Sequence, residues 1–247
     1  RELAAPVFRV AGLPQSTQVI IINDGSLNAF VADARHVFLH SGLLMRLDGP
    51  DQVQSVLAHE AAHIANGHLT ARPAAAASAQ TAARMGLLLA LAAGAASGES
   101  GAAIGLAAGS MSSAQRSLLA HSRAEEASAD QSALRYLVSA GIDPGAMLEV
   151  LDLFRGQEAL SVGRQDPYVR SHPLTRDRYR TVQAFLATQG AGPEPSVASA
   201  YWYARLNAKL SAFLRNPSWT LRRIDRNDTG EIATPRRALA HHRTPDA

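Results

Sequence analysis

Residues 50–68 read Pro-Asp-Gln-Val-Gln-Ser-Val-Leu-Ala-His-Glu-Ala-Ala-His-Ile-Ala-Asn-Gly-His. Proline is tolerated in the first turn of a helix, where its missing N–H has no partner to lose. Asp48 and Asp51 flank Pro50 as start signals, and Asn66-Gly67 is a stop signal. Between them Val53, Val56, Leu57 and Ile64 recur near one face. The stretch predicts a helix over 50–66 that is buried against a sheet.

Four residues of helix advance by about 400°. His59 and His63 therefore stand on one face, a turn apart, where two imidazole nitrogens can grip one metal ion. Glu60 lies about 100° further round. It cannot join them as a ligand, but it can reach water on the ion's open side, which is the position of a general base. The plain alternative is a pair of hydrogen-bonded core histidines. With no cysteine in the chain, an ion here must be held by His, Asp and Glu, a set that suits one zinc ion per chain.

A catalytic zinc takes three protein ligands and keeps a fourth position open. His68 is close by, but a third ligating histidine on such a helix is expected ten residues after His59, where Leu69 stands. His68 is read as a surface or outer residue. Glu126 is the better third ligand, because Asp130 follows four residues later on the same helical face and can take the free N–H of a ligating histidine. The competing reading is a solvated acidic helix start. Glu125 fits that reading as the last residue of a Ser122-Arg123-Ala124-Glu125 capping box, which predicts a helix over 123–140 ended by Gly141.

Around this centre, residues 18–23, 28–32 and 36–40 read as strands of a small antiparallel sheet at the cleft rim. The uncharged run 85–98 is shorter than the roughly 20 residues of a spanning helix. Residues 85–115 are read either as a core helical hairpin or as one that makes peripheral membrane contact or covers the site. Asp143-Pro144 opens a further helix, 175–189 forms another, 190–196 is a linker and 200–214 is helical. The rest is Arg-rich and polar. The expected fold is α+β and mostly helical, with a catalytic domain over 1–190 and the start of a helical module, of repeat type or not, over 191–247.

The chain has 247 residues, 47% of them hydrophobic, enough for a real core. A net charge of +3 and 5% aromatics give no basic, stacking-rich surface, so no nucleic acid is expected. The absence of cysteine leaves the compartment open. A chain that opens on Arg1 is read as a trimmed piece, from which a signal peptide has been removed. No oligomeric state is readable.

Five stretches, in order, resemble one family: Asn28-Ala29-Phe30, Ser41-Gly42-Leu43-Leu44, His59 to His68, Ser122 to Asp130, and Ser171-His172-Pro173-Leu174. They look like the membrane-associated gluzincin peptidases, which include the CAAX prenyl endopeptidases and the HtpX-like and BepA-like quality-control proteases. The resemblance covers about residues 15–190. It implies a zinc-dependent endopeptidase with polypeptide substrates, Glu126 as third ligand and Asp130 as its outer partner. It also implies that His172 belongs with Glu60 in the catalytic site, either capping the ion's open position or stabilising the oxyanion, although an ordinary loop residue before a proline fits the same position. Arg178 matches a family arginine, grouped here with a substrate-binding role. Asn28 and Ala29 match an edge strand that pairs with extended substrate, although a plain core strand fits the same residues. The strong spanning helices of the HtpX-like and CAAX branches have no counterpart in this reading, which points to the BepA-like branch. A bacterial location in the periplasm or at a membrane follows, with misfolded or misassembled envelope proteins as substrates. Two rivals remain: a latent, chaperone-like assembly factor that rarely cuts, and a helical protein with a structural metal.

Overall fold

The computed structural model describes residues 1–97, 100–225 and 228–243. Helix α1 (Ala5–Val10) leads into strands β1 (Gln18–Ile22), β2 (Ala29–Asp33) and β3 (His36–His40). Helices α2 (Ser41–Arg46), α3 (Pro50–Ala65), α4 (His68–Ser97), α5 (Ser100–Ser139), α6 (Gly145–Leu153), α7 (Pro167–Ser171) and α8 (Arg176–Gln189) follow. After an extended segment come α9 (Val197–Leu214), α10 (Pro217–Arg222) and α11 (Ala233–His242).

The α+β, mostly helical reading holds, but the sheet is mixed rather than antiparallel. Its order is β1-β3-β2, with β1 parallel and β2 antiparallel to β3. Residues 24–26, Asp-Gly-Ser with the composition of a turn, do not close a hairpin between β1 and β2. They are tied instead to the start of α2, where Gly42 N–H and Ser41 Oγ both donate to the Asp24 carbonyl. The chain therefore passes from β1 to the far edge and comes back between the two strands. Val37 and Leu39 of β3, the central strand, are buried in the core.

Helix α3 runs through the middle of the molecule. Val53, Val56, Leu57, Ala58 and Ala61 pack in the core, while Gln54, Ser55, His59, Glu60 and His63 are buried too. Its predicted apolar face undercounts this, because α5 covers one side and the sheet only another. Gly49 rather than Asp48 is the N-cap. At the other end Gly67 takes φ 72°, a left-handed turn that residues with a Cβ adopt at a cost. From it α4 sets off in a new direction.

Two expectations fail in the next segment. Helix α5 is continuous from Ser100 to Ser139, so Ser122 lies inside it and caps nothing. Pairing with α4 carries the helix more than twenty residues ahead of the local signal, and Glu125 is instead held by Arg72 Nε at 2.8 Å. Nor is the α4/α5 hairpin core. Met85, Leu88, Leu89, Leu91, Ile104 and Met111 are 55–68% exposed. The two helices touch through small residues, closely enough that a Cβ on Gly86 would collide with the Ser110 side chain. By length and composition His68–Ala96 is also long and apolar enough to cross a membrane. Counting only the uncharged run had hidden this, since Arg72 and Arg84 interrupt it. Glu99 lies outside the described residues.

Past 190 the polar tail is more ordered than its composition suggests. Helices α10 and α11 pack on α9, and Tyr203 Oη donates to the Leu47 carbonyl, holding α9 against the end of α2.

Candidate metal centre

Three elements converge beneath β2. Helix α3 supplies His59, Glu60 and His63, α5 supplies Glu126 and Asp130, and the turn after α7 supplies His172. All six are buried, at 3% exposure or less. His59 Nε2 lies 3.1 Å from His63 Nε2, 3.3 Å from Glu126 Oε2 and 3.3 Å from His172 Nδ1. His63 Nε2 is 3.4 Å from Glu126 Oε1, and His172 Nδ1 is 3.2 Å from Glu126 Oε2. One donor atom from each of His59, His63, Glu126 and His172 falls within 4.8 Å of all the others.

These residues fit a metal ion. Donors held tetrahedrally at about 2.0–2.1 Å lie about 3.3–3.4 Å apart, close to the spacings here. Two facing Nε2 lone pairs at 3.1 Å repel unless a cation sits between them. His59 turns Nδ1 toward Asp130 Oδ1 at 3.0 Å, within ion-pair distance though out of line for a straight hydrogen bond. Burial disfavours charge on His59, but Asp130 and Glu126 outweigh it and hold its pKa up to about 9. Burial alone would raise the Glu126 pKa, but His172 and His59 hold it well below the ordinary range. Burial and the charge on His59 both push His63 down, toward the neutral ring that a ligand needs.

Glu60 is the exception. It is fully buried, neither of its oxygens has a hydrogen bond, and its nearest basic neighbour is His172 Nε2 at 3.4 Å. Burial pushes its pKa up. A buried carboxylate without a hydrogen bond is costly to keep, so its position calls for a chemical reason.

Arg178 lies behind the cluster, away from the strand edge with which it had been grouped. Its Nε and Nη2 clamp Asp130 at 2.6 and 2.8 Å, and Nη1 is 3.0 Å from Glu126 Oε2. Nη1 also donates to the Pro173 carbonyl at 3.2 Å. At 4% exposure it has no face left for a substrate. Ala29 does reach the site, its carbonyl accepting from His172 Nε2 at 3.2 Å, while the neighbouring Asn28 has a buried Oδ1 without a hydrogen bond. Of the two outer readings of His68, surface or backing residue, the structure favours the second, and sequence reading missed Arg72. His68 Nδ1 sits 2.9 Å from His63 Nδ1, and Arg72 Nη2 is 3.7 Å from Glu126 Oε1. The available signal was position: both open the helix that follows the metal helix.

Paired histidines on one helix, a carboxylate from a second and an uncommitted glutamate beside them define the class, a helical metal-dependent hydrolase. Residues 1–186 match the sequence profile of Peptidase family M48, and the chain belongs to that family. It is 29% identical over 220 residues to a putative beta-barrel assembly-enhancing protease of Vibrio cholerae, covering 79% of this chain and 44% of that one. It is 28% identical over 162 residues to the beta-barrel assembly-enhancing protease of Escherichia coli K12, covering 64% and 32%. A mitochondrial metalloendopeptidase of Schizosaccharomyces pombe is 31% identical over 184 residues, covering 73% and 50%. The chain thus spans half or less of the length of these relatives.

Proposed function

We propose that this chain is a zinc-dependent metalloendopeptidase that cuts extended polypeptide segments, with His59, His63 and Glu126 as ligands and Glu60 as the general base. The observation that carries this is the convergence of buried donors beside a buried carboxylate that accepts no hydrogen bond. Zinc, when bound, supplies Lewis-acid activation of water and of a carbonyl. Glu60 takes a proton from the attacking water and returns it to the leaving amine, and its raised pKa suits that exchange. Asp130, clamped by Arg178, orients His59. Substrate adds as a strand along β2, where Asn28 Oδ1 offers an unpaired acceptor. Glu60→Gln is expected to keep its zinc and its fold while casein cleavage falls by about a hundredfold or more. Near-parental cleavage would remove Glu60 from this role.

A restrained enzyme is favoured by one further contact. His172 Nδ1 points into the donor ring while its Nε2–H is held by the Ala29 carbonyl. In this reading the loop caps the site until substrate displaces it, which accommodates the latent, chaperone-like behaviour considered above. His172→Ala should then raise cleavage and self-cleavage with zinc content unchanged. Lower turnover with zinc retained would instead make His172 an oxyanion donor.

The finer assignments rest on the relatives' names and on composition. Envelope proteins are the proposed substrates, and the bacterial periplasm or a membrane surface the proposed location. The exposed tip of the α4/α5 hairpin is the proposed membrane contact. Residues 1–190 form the proposed peptidase domain and 191–247 a helical appendage, a division supported by the extended segment 190–196 and by where the family match ends.

A further inference from the structure

We propose that His68 is a positioning residue for the metal centre, whose Nδ1 accepts the outward N–H of His63 and so fixes that ring's tautomer and angle. The inference rests on the metal-site reading above and concerns a residue that the ligand set leaves out. Each ligating imidazole has an inner nitrogen that needs a lone pair and an outer nitrogen that carries the proton. For His59 the outer Nδ1 faces Asp130. For His63 the inner atom is Nε2, in the donor ring, and the outer atom is Nδ1. The polar atom recorded within hydrogen-bond distance of that Nδ1 is His68 Nδ1, at 2.9 Å. Two ring nitrogens at this distance share one proton. If His63 donates it, His68 accepts through Nδ1 and bears its own proton on Nε2. The two ligands are thus backed differently, one by a carboxylate and the other by a neutral imidazole.

The packing supports a built contact. The His63 and His68 rings meet edge to face, with centroids 5.0 Å apart. His68 is 7% exposed, although Ala65 and Asn66 just before it are exposed and Gly67 is half-buried. The left-handed turn at Gly67 folds His68 back under α3, against His63.

Zinc affinity of the full chain, measured by competition with a chelator, tests the assignment. Partners of this kind are worth about 10–100-fold in metal affinity. His68→Phe keeps the ring volume without the acceptor and should weaken zinc by that factor, as should His68→Ala. His68→Gln restores an acceptor oxygen and should recover most of the loss. Parental affinity in His68→Phe overturns the proposal, and so does a His68→Gln variant as weak as His68→Phe. Should the phenylalanine and alanine variants not fold, imidazole nitrogen NMR on the unaltered, zinc-loaded chain decides. The proton is expected on Nδ1 of His63 and on Nε2 of His68, and the reverse arrangement overturns the assignment. A parent chain that takes up no zinc removes the metal reading itself and this inference with it. A parent that binds zinc with indifferent His68 variants removes this inference alone.

Discussion

Glu125 and Glu126 are chain neighbours and both buried, but their carboxylates have different main partners. Glu126 points into the donor ring, while Glu125 pairs with Arg72, whose side chain is 42% exposed, at the root of the hairpin. Glu126→Ala should sharply weaken zinc binding. Glu125→Ala should leave zinc bound and loosen the start of α4, seen as faster hydrogen exchange near Arg72. Equal zinc loss in both variants would mean that the wrong carboxylate had been assigned. The neighbourhood of Glu126 was legible because a helix puts Asp130 on its face by pitch alone. The partner of Glu125 was not, since Arg72 lies 53 residues away and only the pairing of α4 with α5 brings the two together.

At the scale of elements, the hairpin is the part that sequence reading described least well. A charge-poor run of Ala, Gly, Ser and Leu is compatible with a buried helix and with an exposed apolar one, and periodicity cannot separate them when the run is apolar all round. For the proposed membrane contact, a shallow one suits this hairpin better than a crossing. The lower turns are held by His68 and Arg72, and Arg84 is the last charge on α4, which leaves residues 85–97 as its uncharged tip. At about 1.5 Å per residue these reach about 20 Å, short of the roughly 30 Å hydrocarbon core. Arg84 and Arg116 bracket the apolar tip, at the level where headgroups would lie. The full chain should therefore float with phospholipid vesicles. Replacing Leu88, Leu89 and Leu91 together by Gln should reduce the bound fraction more than tenfold, given about 1.5–3 kcal/mol for each leucine side chain removed from water. Equal flotation of parent and triple variant would rule out the tip as the contact.

Across the whole molecule, the Asp130–Arg178 pair joins α5 to α8 and keeps the helix that carries Glu126 in register with the loop that carries His172. Arg178→Met leaves Asp130 buried without its cation. The expected cost is about 3–5 kcal/mol of stability, read from urea unfolding of the metal-free chain. Burial would raise the Asp130 pKa, yet Arg178 outweighs it and holds the value below 3.8. The pair's contribution is then fully present above that ordinary value and disappears as pH falls through the lower folded one. Asp130→Asn should flatten that acid limb, and an unchanged limb would mean that the pair contributes little. The long-range order of the fold was only partly visible in the sequence. Helix α3, its stop at Asn66-Gly67 and the start of α8 at Thr175 are set by neighbouring residues. The parallel pairing of β1 with β3 and the ordered α10 and α11 depend on contacts far apart in the chain, which carry no local signal.

The His172–Ala29 contact uses an outward-facing backbone acceptor. The Asn28 carbonyl is spent on His40 of the central strand, so the next one along, on Ala29, faces away from the sheet and holds the His172 ring. A strand arriving at that edge wants the same oxygen. Loop and substrate then compete for one lone-pair site, and only a peptide with an N–H at that register can win it. Proline has none. A segment with proline opposite Ala29 would therefore be excluded without any side-chain pocket, and the filter would disappear as soon as His172 no longer needed displacing.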